Sequence, residues 1–197
     1  MGFLEDNCYI CPVKSQEDIV DFTCGDCDLD DFFAQDCFAY SKQLLGKTYC
    51  FKTDDPSQKV VCAFTLANSG VNVSRLPNAR KKKLEANIPH VKTLKDYPAV
   101  LIARLGVSSE YRSLHIGSDV LDYIKLWYID SSNKAACRFI VVDAYNNERT
   151  MTFYQQNGFV PVFGTEQQEK MYRQLPPDVL LRTRFMYYDL IQHVKVQ

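Results

Sequence analysis

Residues 99–118 read AVLIARLGVSSEYRSLHIGS. The first nine residues are apolar apart from Arg104, which predicts a strand that is covered on both faces in the middle of a sheet. Residues 116–129 carry apolar side chains at three- and four-residue spacing, which predicts a helix that starts in the turn at 112–118. Backbone N–H groups at a helix start bind anions, and Gly117 would let a phosphate approach them closely. A glycine here is also common in ordinary turns, so this segment alone leaves both interpretations open.

The rest of the chain contains alternating strand and helix patterns. Two strand–helix–strand units in the second half imply parallel pairing, and a hairpin in the first half implies antiparallel pairing. We therefore predict an α/β fold in one domain spanning residues 1–197, built on a mixed sheet with helices on both faces. Residues 68–98 contain one glycine and three prolines and are predicted to form a long loop. The remaining predicted elements are strands at 8–13, 47–52, 59–66, 137–144, 159–163 and 183–190, and helices at 147–157 and at 28–45, the last ending at Gly46.

Composition limits the classes of function. The chain has 197 residues, of which 46% are hydrophobic and 24% charged, and its formal net charge is −1. Coating nucleic acid requires a surplus of lysine and arginine, which disfavours that class, although the basic run at 80–83 is either a solvated face or a local contact. No apolar run is long enough to cross a bilayer, and the first ten residues lack the basic region of a signal peptide. We therefore expect a cytoplasmic protein with no membrane partner.

Four of the eight cysteines are spaced as Cys8-x-x-Cys11 and Cys24-x-x-Cys27, a pattern that resembles a four-thiolate zinc site. Cys8 and Cys11 lie in a predicted strand, where residues three apart point to opposite faces and do not chelate one ion. Cys27 falls at a predicted helix start among several aspartates. The other four cysteines lie in apolar periodic segments and are predicted to be small core residues. We therefore predict no metal site.

Three motifs resemble those of a known family. The strand and loop at 99–118 match motif A of the GNAT acetyltransferases, in which an arginine and two small residues follow a central strand, but His115 replaces the first motif glycine. Residues 147–159, NERTMTFYQQNGF, resemble a second segment of that family, with threonine in place of its alanine. Phe22-Thr-Cys-Gly25 and LDDFF at 29–33 are similar to the GNAT branch that contains tRNA-acetylating toxins. The resemblance covers about residues 8–190.

The resemblance implies that acetyl-CoA is the co-substrate. In this family an amine attacks the thioester directly, and catalysis is mostly positioning of the reactants. Tyr154 matches the tyrosine beside the thioester sulfur and is predicted to be the catalytic residue, which would hydrogen-bond or protonate the leaving thiolate. The loop keeps its backbone donors if His115 has ordinary dihedral angles. The implied cofactor-binding residues are Leu105, Gly106, Val107, Arg112, Ser113, Leu114, His115, Ile116, Gly117, Ser118, Asn147 and Phe153.

The acceptor and the general base remain open from the sequence. Asp143, Glu110 and His115 are candidate bases close in sequence to the motifs, and water is another; His90 is a candidate for lining a substrate cleft. Transfer to an unidentified primary amine is the main hypothesis. The alternatives are transfer to aminoacyl-tRNA, acyl-CoA binding without catalysis, and a small zinc-ribbon protein. The sequence also leaves a homodimer open.

Overall fold

The computed structural model describes residues 2–88 and 94–194, and within this part seven strands form one sheet. The strands are β1 (Cys8–Pro12), β2 (Lys47–Thr53), β3 (Val60–Asn72), β4 (Asp96–Val107), β5 (Phe139–Tyr145), β6 (Val160–Pro161) and β7 (Thr183–Asp189). The helices are α1 (Phe3–Asn7), α2 (Cys27–Asp31), α3 (Cys37–Lys42), α4 (Asn78–Glu85), α5 (Ile116–Ile129), α6 (Glu148–Gln156), α7 (Glu166–Tyr172) and α8 (Ile191–Val194). A π-helical turn (Phe32–Asp36) connects α2 to α3, and two 3₁₀ turns lie at Gln16–Ile19 and Ser109–Tyr111.

The order of the strands in the sheet is β1-β2-β3-β4-β5-β7-β6. β2 pairs antiparallel with β1 and β3, and β7 pairs antiparallel with β5 and β6. β4 and β5 are neighbours joined through α5, which is the connection typical of parallel strands. The mixed α/β sheet predicted from the sequence is confirmed.

The chain folds as two compact units, each with its own apolar cluster. One unit comprises Met1–Asn68 and Ile102–Trp127, and the other comprises Ser69–Leu101 and Tyr128–Gln197. The cluster of the first unit contains Val13, Ile19, Phe32, Phe33, Cys37, Cys50 and Ala63. The cluster of the second unit contains Val71, Val73, Leu76, Leu84, Tyr97, Ala99, Phe139, Val141, Val162, Phe163 and Tyr187. Among the described helices, none combines the length and the apolar character that a bilayer span requires.

The helix predicted at 28–45 ends earlier than expected, at Lys42. Leu44 has a φ of +59° and is 87% exposed, so it is not part of the buried face of the helix. The Leu45 N–H donates to the Tyr40 carbonyl, which closes the helix end. The stop signal predicted at Gly46 is therefore wrong, since a leucine in the left-handed conformation ends the helix instead. The N-terminal cap is Asp26, whose carboxylate accepts from two backbone N–H groups.

The long loop predicted at 68–98 is also wrong in its described part. β3 continues to Asn72, α4 occupies Asn78–Glu85, and β4 begins at Asp96. Pro77 precedes the first turn of α4, where a proline interrupts no helical hydrogen bond. The basic run at 80–83 lies on α4, while residues 89–93, with the candidate His90, are outside the described residues.

Candidate functional site

The predicted phosphate loop at 112–118 leads into α5, which begins at Ile116. Ser113 and His115 both have positive φ, of +72° and +57°. His115 therefore does not have ordinary dihedral angles: it adopts the left-handed conformation that glycine adopts most readily. Its carbonyl accepts from the N–H groups of Ser118 at 2.9 Å and Asp119 at 3.2 Å.

The first turn of α5 has the properties of an anion site. The N–H groups of Ile116 and Gly117 have no acceptor within the helix, as at any helix start, and the helix dipole is positive there. The predicted loop residues Ser113, Leu114 and His115 are exposed to solvent, while Gly117 and Ser118 are half-buried. A phosphate approaching this turn would meet backbone donors without first displacing a buried side chain.

Arg112 connects the loop to the turn at Phe22–Gly25. Its Nη2 donates to the Cys24 carbonyl at 2.6 Å, and it lies over Gly25, where an added Cβ would be 3.0 Å from that nitrogen. Gly25 has a φ of +76°, which explains why a glycine is required at this point of the turn. Arg112 was predicted to contact the cofactor; its observed contact positions the two loops against each other.

The same turn packs on Gly106 of β4. A Cβ added to Gly106 would lie 3.2 Å from Cζ of Phe22 and 3.3 Å from Cβ and Sγ of Cys24. Gly106 is buried, whereas its neighbours Leu105 and Val107 are half-buried. The turn can therefore approach the end of β4 closely only because residue 106 has no side chain. Two of the motifs quoted from the sequence, LGV at 105–107 and the Phe22–Gly25 turn, thus meet in one unit.

Asp30 holds this turn in place. Its carboxylate accepts from the Thr23 hydroxyl at 2.7 Å and from the N–H groups of Cys24 at 2.7 Å and Gly25 at 3.2 Å. Burial tends to raise the pKa of Asp30, but these hydrogen bonds outweigh it and lower that pKa below its usual value. The ionised carboxylate therefore stabilises the fold above the ordinary aspartate pKa, and this contribution is lost as the pH falls through the lowered value.

Tyr154 lies on α6 in the second unit and is 8% exposed. Its ring packs against the rings of Phe153 and Phe159, with centroid distances of 5.1 and 5.3 Å. Burial raises the pKa of Tyr154 well above its usual value, so the phenol stays protonated at neutral pH. A protonated hydroxyl is a hydrogen-bond donor, which is the form that the predicted role requires.

Asn147 is the N-cap of α6. Its side-chain oxygen accepts from the Thr150 N–H at 2.9 Å, so one face of the amide is occupied by the protein. The amide nitrogen remains the group with which it would contact a cofactor. At the other end of α6, Gly158 has a φ of +83°, the conformation that is common just past a helix C-terminus.

Two of the three candidate bases form ion pairs. Asp143 pairs with Arg173, and Glu110 pairs with Lys59 at 2.7 Å. His115 is exposed and lies in the strained loop. Both carboxylates are therefore already engaged by a basic side chain of the protein.

Within the described residues, neither clusters of metal-binding side chains nor the two cavities below point to a second candidate site. No group of three or more metal-binding side chains occurs within residues 2–88 and 94–194. One cavity, of about 450 Å³, is lined by Pro12, Val13, Lys14, Ser41, Lys42, Lys47, Thr48 and Tyr49. Another, of about 340 Å³, lies between the end of α5 and α8. The lining of these two cavities includes none of the predicted site residues.

Solved structures share this fold along almost the whole chain. A tyrosine-to-phenylalanine mutant of KacT is 18% identical with a TM-score of 0.69, covering 98% of this chain and 100% of that one. AtaT in complex with acetyl-methionyl-tRNAfMet is 18% identical with a TM-score of 0.68, covering 96% and 98%. AtaTR bound with AcCoA is 18% identical with a TM-score of 0.64, covering 97% and 98%. These neighbours are GNAT-fold toxin acetyltransferases.

The chain has the GNAT fold. That fold was predicted from the motifs, and the structural neighbours confirm it. No protein-family model matches the sequence, and no curated protein matches it either. At 15–18% identity the neighbours establish the fold alone.

Proposed function

We propose that this chain is an acetyl-CoA-dependent N-acetyltransferase that transfers an acetyl group to a primary amine by direct attack. The observation that carries the proposal is the coincidence of a GNAT fold over 96–98% of the chain with sequence segments that resemble the GNAT motifs. Structural neighbours are described as bound with AcCoA and as bound to an antitoxin and acetyl-CoA. Acetyl-CoA would supply the activated thioester.

The loop at 112–118 and the end of β4 would bind and orient the co-substrate. The N–H groups at the start of α5 would bind the pyrophosphate, and Arg112, fixed by the Cys24 carbonyl, would shape the loop around it. Backbone groups of Leu105, Gly106 and Val107 would contact the pantetheine, and a backbone N–H there would polarise the thioester carbonyl. These roles account for the exposure of the loop residues Ser113, Leu114 and His115.

Tyr154 would act on the leaving group. As the amine attacks, the thioester C–S bond breaks and negative charge develops on sulfur. The Tyr154 hydroxyl would donate a hydrogen bond to that sulfur or protonate it. An ordinary thiol has a pKa of about 8.5, below that of a buried phenol, so the hydrogen bond is the easier of the two. Asn147 and Phe153 would hold the cofactor beside it.

The test is acetyl transfer from labelled acetyl-CoA to a panel of amines and aminoacyl-tRNAs with the variant Tyr154→Phe. We expect kcat to fall by roughly 10²- to 10⁴-fold with the acetyl-CoA affinity unchanged, because phenylalanine keeps the ring packing and removes only the donor. Tyr9→Phe is the matched control, since Tyr9 lies on β1 with its ring 39% exposed, and it should retain full activity. Unchanged kcat in Tyr154→Phe would contradict the catalytic assignment.

Aminoacyl-tRNA is a second candidate acceptor. A structural neighbour, AtaT, is described as complexed with acetyl-methionyl-tRNAfMet. In this chain α4 carries the basic run, and Lys82 and Lys83 on it are exposed. Replacing Lys82 and Lys83 by alanine should raise the KM for tRNA and weaken the salt dependence of tRNA binding. The rate of acetylation of a small amine should not change. The double variant Lys14→Ala/Lys47→Ala is the control, since it removes the same charge from the first unit and should not change tRNA binding. An equal loss of tRNA affinity in both double variants would contradict the proposal that α4 contacts tRNA.

The proposed function also suggests a cellular compartment and protein partners for this chain. A reducing cytoplasm suits a chain whose eight cysteines are all free thiols. A homodimer is a candidate assembly of this chain. An antitoxin is a candidate partner, since two structural neighbours are described as bound to the antitoxin AtaR. Sedimentation of the purified chain would measure the first directly.

A further inference from the structure

Two cysteine thiols lie side by side on β1 and β2. Cys11 and Cys50 are directly opposite each other in the antiparallel register, and their Sγ atoms are 3.4 Å apart. Both are free thiols. The Cys50 side chain is fully buried, whereas Cys11 is half-buried, so Cys11 is the member of the pair that meets solvent.

The backbone geometry is already close to that of a disulfide. Directly opposed residues of antiparallel strands have Cα atoms about 4.5–5.5 Å apart, within the range of about 4.4–6.8 Å seen for disulfides. The sulfur atoms need to approach by only about 1.4 Å to reach bonding distance. Rotation of the two side chains supplies a movement of that size without shifting either strand.

Three other cysteines have neighbours of a different kind. Cys8 lies opposite Thr53, and Cys62 lies opposite Phe51. The Cys37 thiol donates to the Phe33 carbonyl of its own helical segment. The Cys11–Cys50 pair is thus distinguished by position and not merely by the number of cysteines in the chain.

We propose that Cys11 and Cys50 form a thiol-modification site that a low-molecular-weight disulfide converts into an intramolecular disulfide. The Cys11 thiolate attacks one sulfur of the external disulfide, which forms a mixed disulfide and releases one thiolate. The Cys50 sulfur then attacks the Cys11 sulfur and displaces the second thiolate. The two protein thiols are oxidised, and the external disulfide is reduced to two thiols, which take up the two protons that the protein thiols lose.

The order of the two attacks follows from burial. Burial raises the pKa of Cys50 above the usual thiol value, which disfavours its thiolate and hides it from the external disulfide. Cys11 is the accessible sulfur and reacts first, after which Cys50 needs only to reach a neighbour 3.4 Å away. The bond would close the chain between positions 39 residues apart, a segment that contains the Phe22–Gly25 turn. In a reducing cytoplasm such a bond would be transient and reversible.

The test uses the full chain with Cys27→Ser, which removes an exposed, unrelated thiol. The protein is incubated with excess glutathione disulfide, its thiols are counted after unfolding, and its unreduced peptides are identified by mass spectrometry. We expect two of the seven remaining thiols to disappear and a Cys11–Cys50 linked peptide to form. Dithiothreitol should restore both thiols.

Two further variants separate the steps. Cys11→Ser should leave Cys50 reduced under the same conditions, whereas Cys50→Ala should accumulate a stable glutathione adduct on Cys11. Circular dichroism of each variant confirms that it folds; if Cys50→Ala does not, Cys11→Ser still tests the pairing. A stable glutathione adduct on Cys11 in the parent protein, or both thiols still reduced after prolonged oxidation, would overturn the proposal.

Discussion

His115 occupies a backbone conformation that costs an ordinary residue roughly 1–2 kcal/mol relative to the right-handed region. Its position in the 112–118 loop is that of the first glycine of the family motif. The replacement therefore changes the side chain while the conformation stays one that glycine favours. Since the His115 side chain is exposed, it can turn away from a ligand bound at the start of α5.

We expect His115→Gly to fold with a free energy of unfolding within about 1 kcal/mol of the parent, because relief of strain offsets the greater flexibility of the unfolded chain. We expect His115→Val to lose about 1–2 kcal/mol, because a β-branched residue is poorly tolerated at this φ. Urea unfolding measures both. Leu114→Val is the control and should stay within about 0.5 kcal/mol. Equal stability of the glycine and valine variants would show that residue 115 is not strained.

Local residue signals were predictable from the sequence, and distant contacts were not. The N-cap at Asn147 and the positive φ of Gly158 follow from residue type and position alone. The bond from Arg112 to the Cys24 carbonyl joins residues 88 apart, and its alternative role as a phosphate ligand looks identical in the sequence. A sequence motif therefore locates an arginine without saying which atoms it contacts.

At the scale of elements, the end of β4 and the Phe22–Gly25 turn form one packed unit. Gly106 lies beneath Phe22 and Cys24, and Asp30 holds the turn from the far side. This arrangement gives the glycine of LGV a structural reason that is independent of any ligand. It also explains why motifs that lie about 80 residues apart occur together in this chain.

We expect Gly106→Ala to destabilise the chain by roughly 1–3 kcal/mol, because the new Cβ would lie 3.2–3.3 Å from Phe22 and Cys24. Gly70→Ala is the matched control within β3. Among the described residues its Cβ would meet only the Tyr97 carbonyl, at 3.5 Å, so this variant should be neutral or up to about 1 kcal/mol more stable. Thermal unfolding compares the two. A similar loss in both would contradict the packing argument.

Helix α7 is attached to β7 by a buried acid that no sequence pattern identified. Glu169 is fully buried, and its carboxylate accepts from Arg184 Nε at 2.8 Å, from Arg173 Nη2 at 2.7 Å and from the Phe185 N–H at 2.6 Å. Its position in EQQEKMY resembles that of any exposed helical glutamate. The cap at Thr165 with Gln168 three residues later was the available signal for this helix.

Replacing this acid should be costly because the two arginines would remain without their shared counter-charge. We expect Glu169→Gln to lower the free energy of unfolding by about 3–5 kcal/mol. Glu17→Gln, at an exposed position, should change it by less than about 0.5 kcal/mol. Urea unfolding followed by circular dichroism would measure the free energy of unfolding of both variants. A small effect of Glu169→Gln would mean that the hydrogen bonds and ion pairs of Glu169 contribute little to stability.

Elements with strong periodicity were predicted well, and those with mixed signals were not. α5 spans the predicted residues, and β4 and β7 match closely because their apolar runs are long. The extension of β3 to Asn72 was missed because Gly70 is a turn-former in most contexts. α4 was missed because NARKKKLE buries only Leu84, which leaves almost no periodic signal.

At the scale of the whole molecule, the strand order and the structural neighbours agree with the fold predicted from three short motifs. A single departure from the motif, such as His115, did not prevent the prediction of the fold. The fold is indicated by the order of strand, loop, helix, strand and the segment at 147–159. The acceptor was not predictable, since the surface that binds it is specified by few residues and by no motif. The proposed activity therefore depends first on acetyl-CoA binding and then on the chemistry of Tyr154.

Titration of acetyl-CoA into the purified chain by isothermal calorimetry tests the central claim most directly. We predict one site per chain, together with a thermal stabilisation that corresponds to about 2.7 kcal/mol when acetyl-CoA is present at about 100 times its Kd. Gly117→Pro should abolish the heat, since it removes a backbone donor at the start of α5. Absence of both heat and thermal stabilisation with the folded parent chain would contradict the proposed activity.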